Sequence, residues 1–264
     1  MLEVYRGKDI SITKKIKLSQ PTLQDIIDFG ESEYFQAIHS LCAVGADFKW
    51  QLWDSGIDYT TISDYDLFLF YISNMLGSKK NEIKKIINSN DVEKIEKLKE
   101  EDIKKMTKNP LGLILNIDLA DFKLCENKKN NENILYNEKE DIVIDRLVYN
   151  NIVEIIRKIH GLKRNNELPA NERTKLDMIE DSRDEYYASL GDKNKEFLYP
   201  LVSTVANLGI GYTWFNIWDL KVCAFFECIT RDNKISETNL LLKSAYGGFG
   251  SLKGVPKERL NKYR

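Results

Sequence analysis

The chain has 264 residues, of which 42% are hydrophobic and 30% are charged. Its 39 lysines and arginines nearly balance its 41 acidic residues, and a net charge of −2 gives no electrostatic reason to expect a nucleic acid or an anionic membrane as partner. This length and apolar content are sufficient for one large hydrophobic core.

The sequence contains no apolar run long enough to span a bilayer, and its first residues do not match a signal peptide. Cys42, Cys125, Cys223 and Cys228 are widely scattered. We therefore expect reduced cysteines in a soluble, cytoplasmic protein.

The first part of the chain predicts a β-hairpin followed by helices. Residues 2–18 alternate between apolar and polar positions around Gly7, which predicts a hairpin with its turn at residues 6–9. Thr22 and Asp25 form a capping pattern for a helix that Gly30 closes. Two further helices are predicted over residues 31–43 and 47–54.

Residues 63–76 are predicted to form the central helix of the core. Ser63 is its N-cap, Asp66 lies in its first turn and Gly77 ends it. The segment has no polar stripe, and such helices are buried on every side.

The next segment changes composition sharply. Residues 78–108 are rich in Lys and Glu, with apolar residues at helical spacing, which predicts a charged helical arm. Its charges are either a solvated helix face or a docking surface. Residues 110–146 contain three short strand patterns separated by polar links, which predict an antiparallel β-meander.

The rest of the chain is predicted to be helical. The predicted elements are helices over 147–160, 172–190 and 197–208, an apolar stretch over 212–229 and a last helical piece over 239–246. The predicted fold is therefore α+β and predominantly helical. Residues 1–77 hold the hairpin and the first half of a helical core, 78–145 are an insertion, 146–246 are the second half of the core, and 247–264 are a loosely held tail.

Candidate catalytic and metal-binding groups are sparse. We interpret the only two histidines, His39 and His160, as surface or packing residues, and the acidic residues of 177–185 are interleaved with basic ones. The sequence Asp121-Phe122-Lys123 resembles the Asp/Glu-x-Lys of metal-dependent nucleases, but a tripeptide is expected by chance in so charged a chain. We predict no catalytic residue, no metal and no cofactor.

Aromatic residues near helix ends are the other candidate signal. Trp214 and Trp218 belong to this group, together with four aromatic residues of the N-terminal half. We predict that these four form a partner-binding surface beside the charged arm: Trp50, Trp53, Tyr59 and Tyr65. Packing in the core is the alternative role for these side chains.

Several segments together resemble a known protein type. These are Gln20-Pro-Thr-Leu, Phe29-Gly-Glu, Gln51-Leu-Trp-Asp, Gly56-Ile-Asp-Tyr-Thr, Asp64-Tyr-Asp-Leu-Phe, residues 134–146, residues 155–161, Leu198-Tyr-Pro-Leu and Ile217-Trp-Asp-Leu. The type is encoded in the tail-gene modules of phages and prophages of low-GC Gram-positive bacteria, and the Lys, Asn and Ile richness of the chain suits such a host.

The resemblance implies a non-enzymatic role in phage tail morphogenesis. The nearest class is the tail assembly chaperone, a mostly helical protein of the host cytoplasm that coats the tape-measure protein and recruits tail-tube subunits. The hairpin, the meander and the greater length favour an alternative, a structural subunit of the virion tail, baseplate or neck. A phage enzyme or regulator acting on nucleic acid is a third hypothesis, which the near-neutral charge disfavours.

Overall fold

The computed structural model describes residues 2–72, 108–127, 131–189 and 197–261. The α-helices in these ranges are α1 (Leu2–Tyr5), α2 (Leu23–Phe29), α3 (Glu31–Cys42), α4 (Lys49–Asp54), α5 (Asp64–Leu67), α6 (Arg146–Ile159), α7 (Glu172–Ser189), α8 (Leu198–Asn207) and α9 (Val222–Tyr246). The strands are β1 (Ile10–Ser11), β2 (Lys17–Leu18), β3 (Lys123–Asn127), β4 (Glu132–Asn137) and β5 (Ile142–Ile144). The predicted α+β, predominantly helical fold is confirmed.

Helix α6 lies at the centre of the main core and packs against α3, α5, α9 and β5. Asp145 caps it by accepting a hydrogen bond from the Val148 backbone N–H at 2.8 Å. Its buried side chains recur every three or four residues and form one stripe: Tyr149, Ile152, Val153, Ile156 and Ile159. The strong apolar period of the sequence therefore corresponds to a helix whose one face is covered by its neighbours.

The two halves of the chain meet beside the start of α2. The Leu23 N–H donates to the Leu220 carbonyl at 3.1 Å, and the Val222 N–H donates to the Pro21 carbonyl at 3.0 Å. These two bonds join the first turns of α2 and α9, although the segments are far apart in sequence.

The N-terminal hairpin is present, but the predicted position of its turn is wrong. Residues 2–5 form helix α1, and the paired strands are Ile10–Ser11 and Lys17–Leu18, so the turn spans residues 12–16 and not 6–9. The Thr13 hydroxyl oxygen accepts from the N–H groups of Lys15 and Ile16, at 3.2 and 3.0 Å. This local hydroxyl bonding gives residues 13–16 a turn that hydrophobic alternation alone does not reveal.

The segment predicted as a central helix is more irregular than expected. Ser63 is its N-cap, as predicted, and accepts from the Asp66 N–H at 3.1 Å. The α-helical part ends at Leu67, and a π-helical turn follows over Phe68–Ile72. Phe70 is 52% exposed, so the prediction of burial on every side is wrong. Residues 73–76 and almost all of the predicted arm lie outside the described residues.

The predicted meander is confirmed as a three-stranded antiparallel sheet with β4 in the middle. Leu135, Ile142 and Ile144 are buried in the main core, and Val143, between the latter two, is exposed. This alternation attaches one face of the sheet to the helices.

At the C-terminal end, the predicted apolar stretch and the last predicted helical piece contribute to one helix, α9, of 25 residues. The Thr238 hydroxyl of α9 donates to the Arg259 carbonyl at 3.0 Å, and Arg259 also pairs with Glu237. No α-helix in the described part of the chain is both long and apolar enough to cross a membrane.

A buried histidine, His160, lies at the C-terminal end of α6. The Nδ1 atom of His160 lies 2.8 Å from the Ile156 carbonyl and its Nε2 atom lies 2.8 Å from the Tyr34 hydroxyl. Because a carbonyl only accepts, Nδ1 carries a proton, and because burial disfavours the charged ring, Nε2 is left unprotonated and accepts from the Tyr34 hydroxyl. Burial lowers the pKa of His160 to about 4, from an ordinary value of 6.5.

We expect this histidine to make the fold acid-sensitive. The neutral ring makes its full contribution to the free energy of unfolding above pH 6.5. This contribution, about 3 kcal/mol in total, is lost as the pH falls toward 4. The free energy of unfolding, measured with urea across this pH range, should fall steeply for the native chain. The His160→Gln variant should not show this steep fall.

The second histidine provides the matched control. His39 is much more exposed to solvent than His160. The free energy of unfolding of the His39→Gln variant should therefore fall with pH as steeply as that of the native chain. Parallel losses of stability in the native chain and in His160→Gln would contradict the assignment.

Candidate functional site

The four aromatics predicted as a partner-binding surface do not form one surface. Tyr59 and Tyr65 are each 3% exposed, whereas Trp50 is half-buried and Trp53 is 43% exposed. The prediction therefore needs correction at the two tyrosines, which are core residues in this structure.

Tyr65 joins α5 to the β-sheet. Its hydroxyl donates to the Ile144 carbonyl at 2.8 Å and lies 3.1 Å from the Asn133 carbonyl. Its ring packs against Phe68 and Tyr149, with centroids 6.3 and 5.6 Å away. Burial raises the pKa of Tyr65, so the hydroxyl stays protonated and available as the donor.

Tyr59 belongs to a second, smaller cluster of buried side chains, with Leu52, Leu67 and Ile179. Beside it, Lys175 of α7 pairs with Asp58 at 2.6 Å, and this contact holds the pKa of Asp58 at about 2. The loop before α5 is therefore fixed against α7 by one ion pair and one aromatic ring.

Trp50 also packs on α7, near the C-terminal end of that helix. Its ring centroid lies 5.2 Å from that of Tyr186 and 6.2 Å from that of Tyr187. Arg183 lies over the same indole and pairs with Asp54 at 2.6 Å. Of the four predicted residues, only Trp53 presents a large fraction of its surface to solvent.

This placement predicts different costs for substitutions within the predicted set. Tyr65→Ala should lower the free energy of unfolding by about 3–5 kcal/mol, because it leaves a cavity and removes the hydroxyl. Trp53→Ala should cost less than about 1 kcal/mol. Urea unfolding followed by circular dichroism measures both, and Tyr65→Phe isolates the hydroxyl at about 1 kcal/mol. Equal costs for Trp53→Ala and Tyr65→Ala would contradict the placement.

A different aromatic group is exposed at the first turn of α8 and in the connection between α8 and α9. We call it the aromatic platform, and it consists of Tyr199, Trp214, Phe215 and Trp218. The ring of Trp214 lies 5.9 Å from that of Tyr199 and 6.5 Å from that of Trp218. Phe215 is 96% exposed, and Tyr199 and Trp214 are 59% and 41% exposed.

Hydrogen bonds define the backbone that carries the platform. The Asn216 side-chain oxygen accepts from the Thr213 N–H at 2.7 Å, and its amide donates to the Gly211 carbonyl at 3.2 Å. The Trp218 indole N–H donates to the Trp214 carbonyl at 2.9 Å, and Ile217 is fully buried beneath. Phe215 is thus presented to solvent by a loop that is bonded to itself and anchored in the core.

Sequence reasoning included Trp214 and Trp218 among the candidate aromatics but missed Phe215. Phe215 lies within the apolar stretch predicted over residues 212–229. The available signal was local: Gly209 and Gly211, which adopt φ values of 69° and 94°, and Asn216 indicate a loop before α9.

Potential metal ligands and reactive thiols are scattered over the described part of the chain. No group of three or more His, Cys, Asp or Glu side chains in the described ranges is arranged to hold a metal ion. The cysteines are free, and burial raises the pKa of the Cys42 thiol to about 12, which keeps it in the unreactive thiol form.

Comparisons of the chain with protein-family models, with curated proteins and with solved structures give no match.

Proposed function

We propose that this protein is a non-enzymatic component of phage tail morphogenesis, an assembly chaperone that binds the tape-measure or tail-tube protein. The resemblance of its sequence segments to phage tail-module proteins suggests the class. The exposed aromatic platform is the structural observation that carries the proposal, because large apolar side chains grouped on a surface are typical of sites that bind another protein.

The chemistry of the platform fits a reversible partner. Fully burying one large apolar side chain contributes about 1.5–3 kcal/mol, so a few such contacts give an affinity that assembly can later overcome. An amphipathic helix presents apolar side chains three or four residues apart, which is the kind of surface that such aromatics cover. The long helices of a tape-measure protein have this character.

The platform can be tested without disturbing the core. Phe215→Ser should reduce co-purification of the tape-measure or tail-tube protein with the tagged chain, by about tenfold or more if Phe215 is an anchor. The measurement is quantitative mass spectrometry of the material captured from phage-producing cells.

Phe249→Ser is the matched control. Phe249 is 93% exposed, close to the 96% of Phe215, but it follows the C-terminal end of α9, whereas the platform precedes the N-terminal end. A helix of 25 residues is about 37 Å long, which separates the two sites. Equal capture by the native chain and Phe215→Ser, or equal loss in both variants, would count against the platform as the binding surface.

A structural subunit of the virion is the second candidate, and the sheet provides the observation that favours it. Strand β3 is an edge strand that pairs only with β4 among the described strands, and Leu124 on it is 50% exposed. Edge strands of this kind can extend the sheet of a neighbouring subunit.

Copy number distinguishes the two candidates. For an assembly chaperone, we expect the chain to be abundant in the lysate of phage-producing cells and absent from purified particles. A fixed stoichiometric copy number in particles, measured by mass spectrometry against known tail proteins, would favour the structural subunit and retire the chaperone proposal.

A further inference from the structure

A cleft of about 460 Å³ lies between the end of α3, the 3₁₀ turn at Gly45–Asp47 and the segment that follows α6. Phe48 and Leu162 contribute apolar walls, while Gln36, His39, Arg157 and Lys163 contribute polar groups. The volume is in the range of small-molecule sites, and the combination of apolar walls with a few polar groups is typical of them.

Arg157 is a largely buried charged group of the cleft. Its side chain is only 16% exposed, and its Nη2 donates to the Cys42 carbonyl at the end of α3, at 2.6 Å. The carboxylate of Asp64 lies 3.8 Å away and is engaged more closely by Arg164, at 2.8 Å. Since a guanidinium has five N–H donors, most of those of Arg157 are not used by described residues.

Among the described residues, the one carboxylate that lines the cleft, that of Asp47, is already hydrogen-bonded. Asp47 accepts from the Val44 N–H on one oxygen and from the Asn165 amide on the other, each at 2.8 Å. Lys163, by contrast, makes no hydrogen bond or ion pair with any residue in the described ranges. The two cationic side chains of the cleft, Arg157 and Lys163, therefore retain N–H donors that no described residue uses.

We propose that this cleft binds a small organic anion, with a single phosphate or carboxylate group joined to an apolar body. Arg157 and Lys163 bind the anionic group through charge-assisted hydrogen bonds, and Phe48 and Leu162 contact the apolar body. The site is separate from the aromatic platform, and it stands or falls independently of the role in tail assembly.

Phenyl phosphate is a suitable probe, and inorganic phosphate and phenol represent its two halves. At fixed ionic strength, isothermal titration calorimetry should show saturable binding of phenyl phosphate, with each half binding about tenfold more weakly or worse. Absence of saturable phenyl phosphate binding would overturn the proposal. Inorganic phosphate binding as tightly as phenyl phosphate would also overturn it, since the apolar walls would then contribute nothing.

Two lysines provide a matched pair of variants. Lys163→Gln should weaken phenyl phosphate binding by about fivefold or more. Lys139 is an exposed lysine outside the cleft, so Lys139→Gln should leave the binding unchanged. Arg157→Gln should abolish binding in a chain whose folding is checked by circular dichroism. If Arg157→Gln does not fold, the comparison of Lys163→Gln with Lys139→Gln tests the proposal alone. Equal effects of these two variants on phenyl phosphate binding would overturn the site.

Discussion

The buried apolar stripe of α6 is the constraint on which the rest of the structure depends. Helices α3, α5 and α9 and strand β5 all pack on or beside it, so the direction of α6 sets the positions of elements from every part of the described chain. Where the stripe ends, His160 satisfies its ring nitrogens with Ile156 and Tyr34. The core is therefore specified by packing along the helix and by polar pairing at its end, since a buried polar group without a partner is costly.

Elements with a strong local signal were predictable from the sequence. The α6 stripe repeats over a full helix between Asp145 and Gly161, and the capping pair Thr22 and Asp25 fixes the start of α2. The hairpin turn and the π-helical turn were not predictable in this way. Residues 2–18 fit more than one pairing register, and the choice depends on hydroxyl bonding at Thr13 and on the burial of Val4 against the helices.

The candidate site was harder to predict, because the sequence shows where aromatic residues are but not whether their side chains are buried or exposed. Tyr59 and Tyr65 are covered by partners that come from distant segments, α7 for the first and the β-sheet for the second. Phe215 is the opposite case, because its side chain is exposed. It is part of an apolar run, yet the glycines and Asn216 around it form a loop that excludes its ring from the core.

Both proposed surfaces lie at the ends of core helices, and this position separates function from stability. The platform is carried by the first turn of α8 and the connection from α8 to α9, and the cleft is formed where α3 and α6 end. Connections of this kind are positioned by the core but contribute little burial to it. Phe215 is almost fully exposed and Lys163 has no described ion pair, so their removal exposes no buried group. A loss of binding in such variants therefore reports on the surface itself, whereas a loss at Tyr59 or Tyr65 would first report on the core.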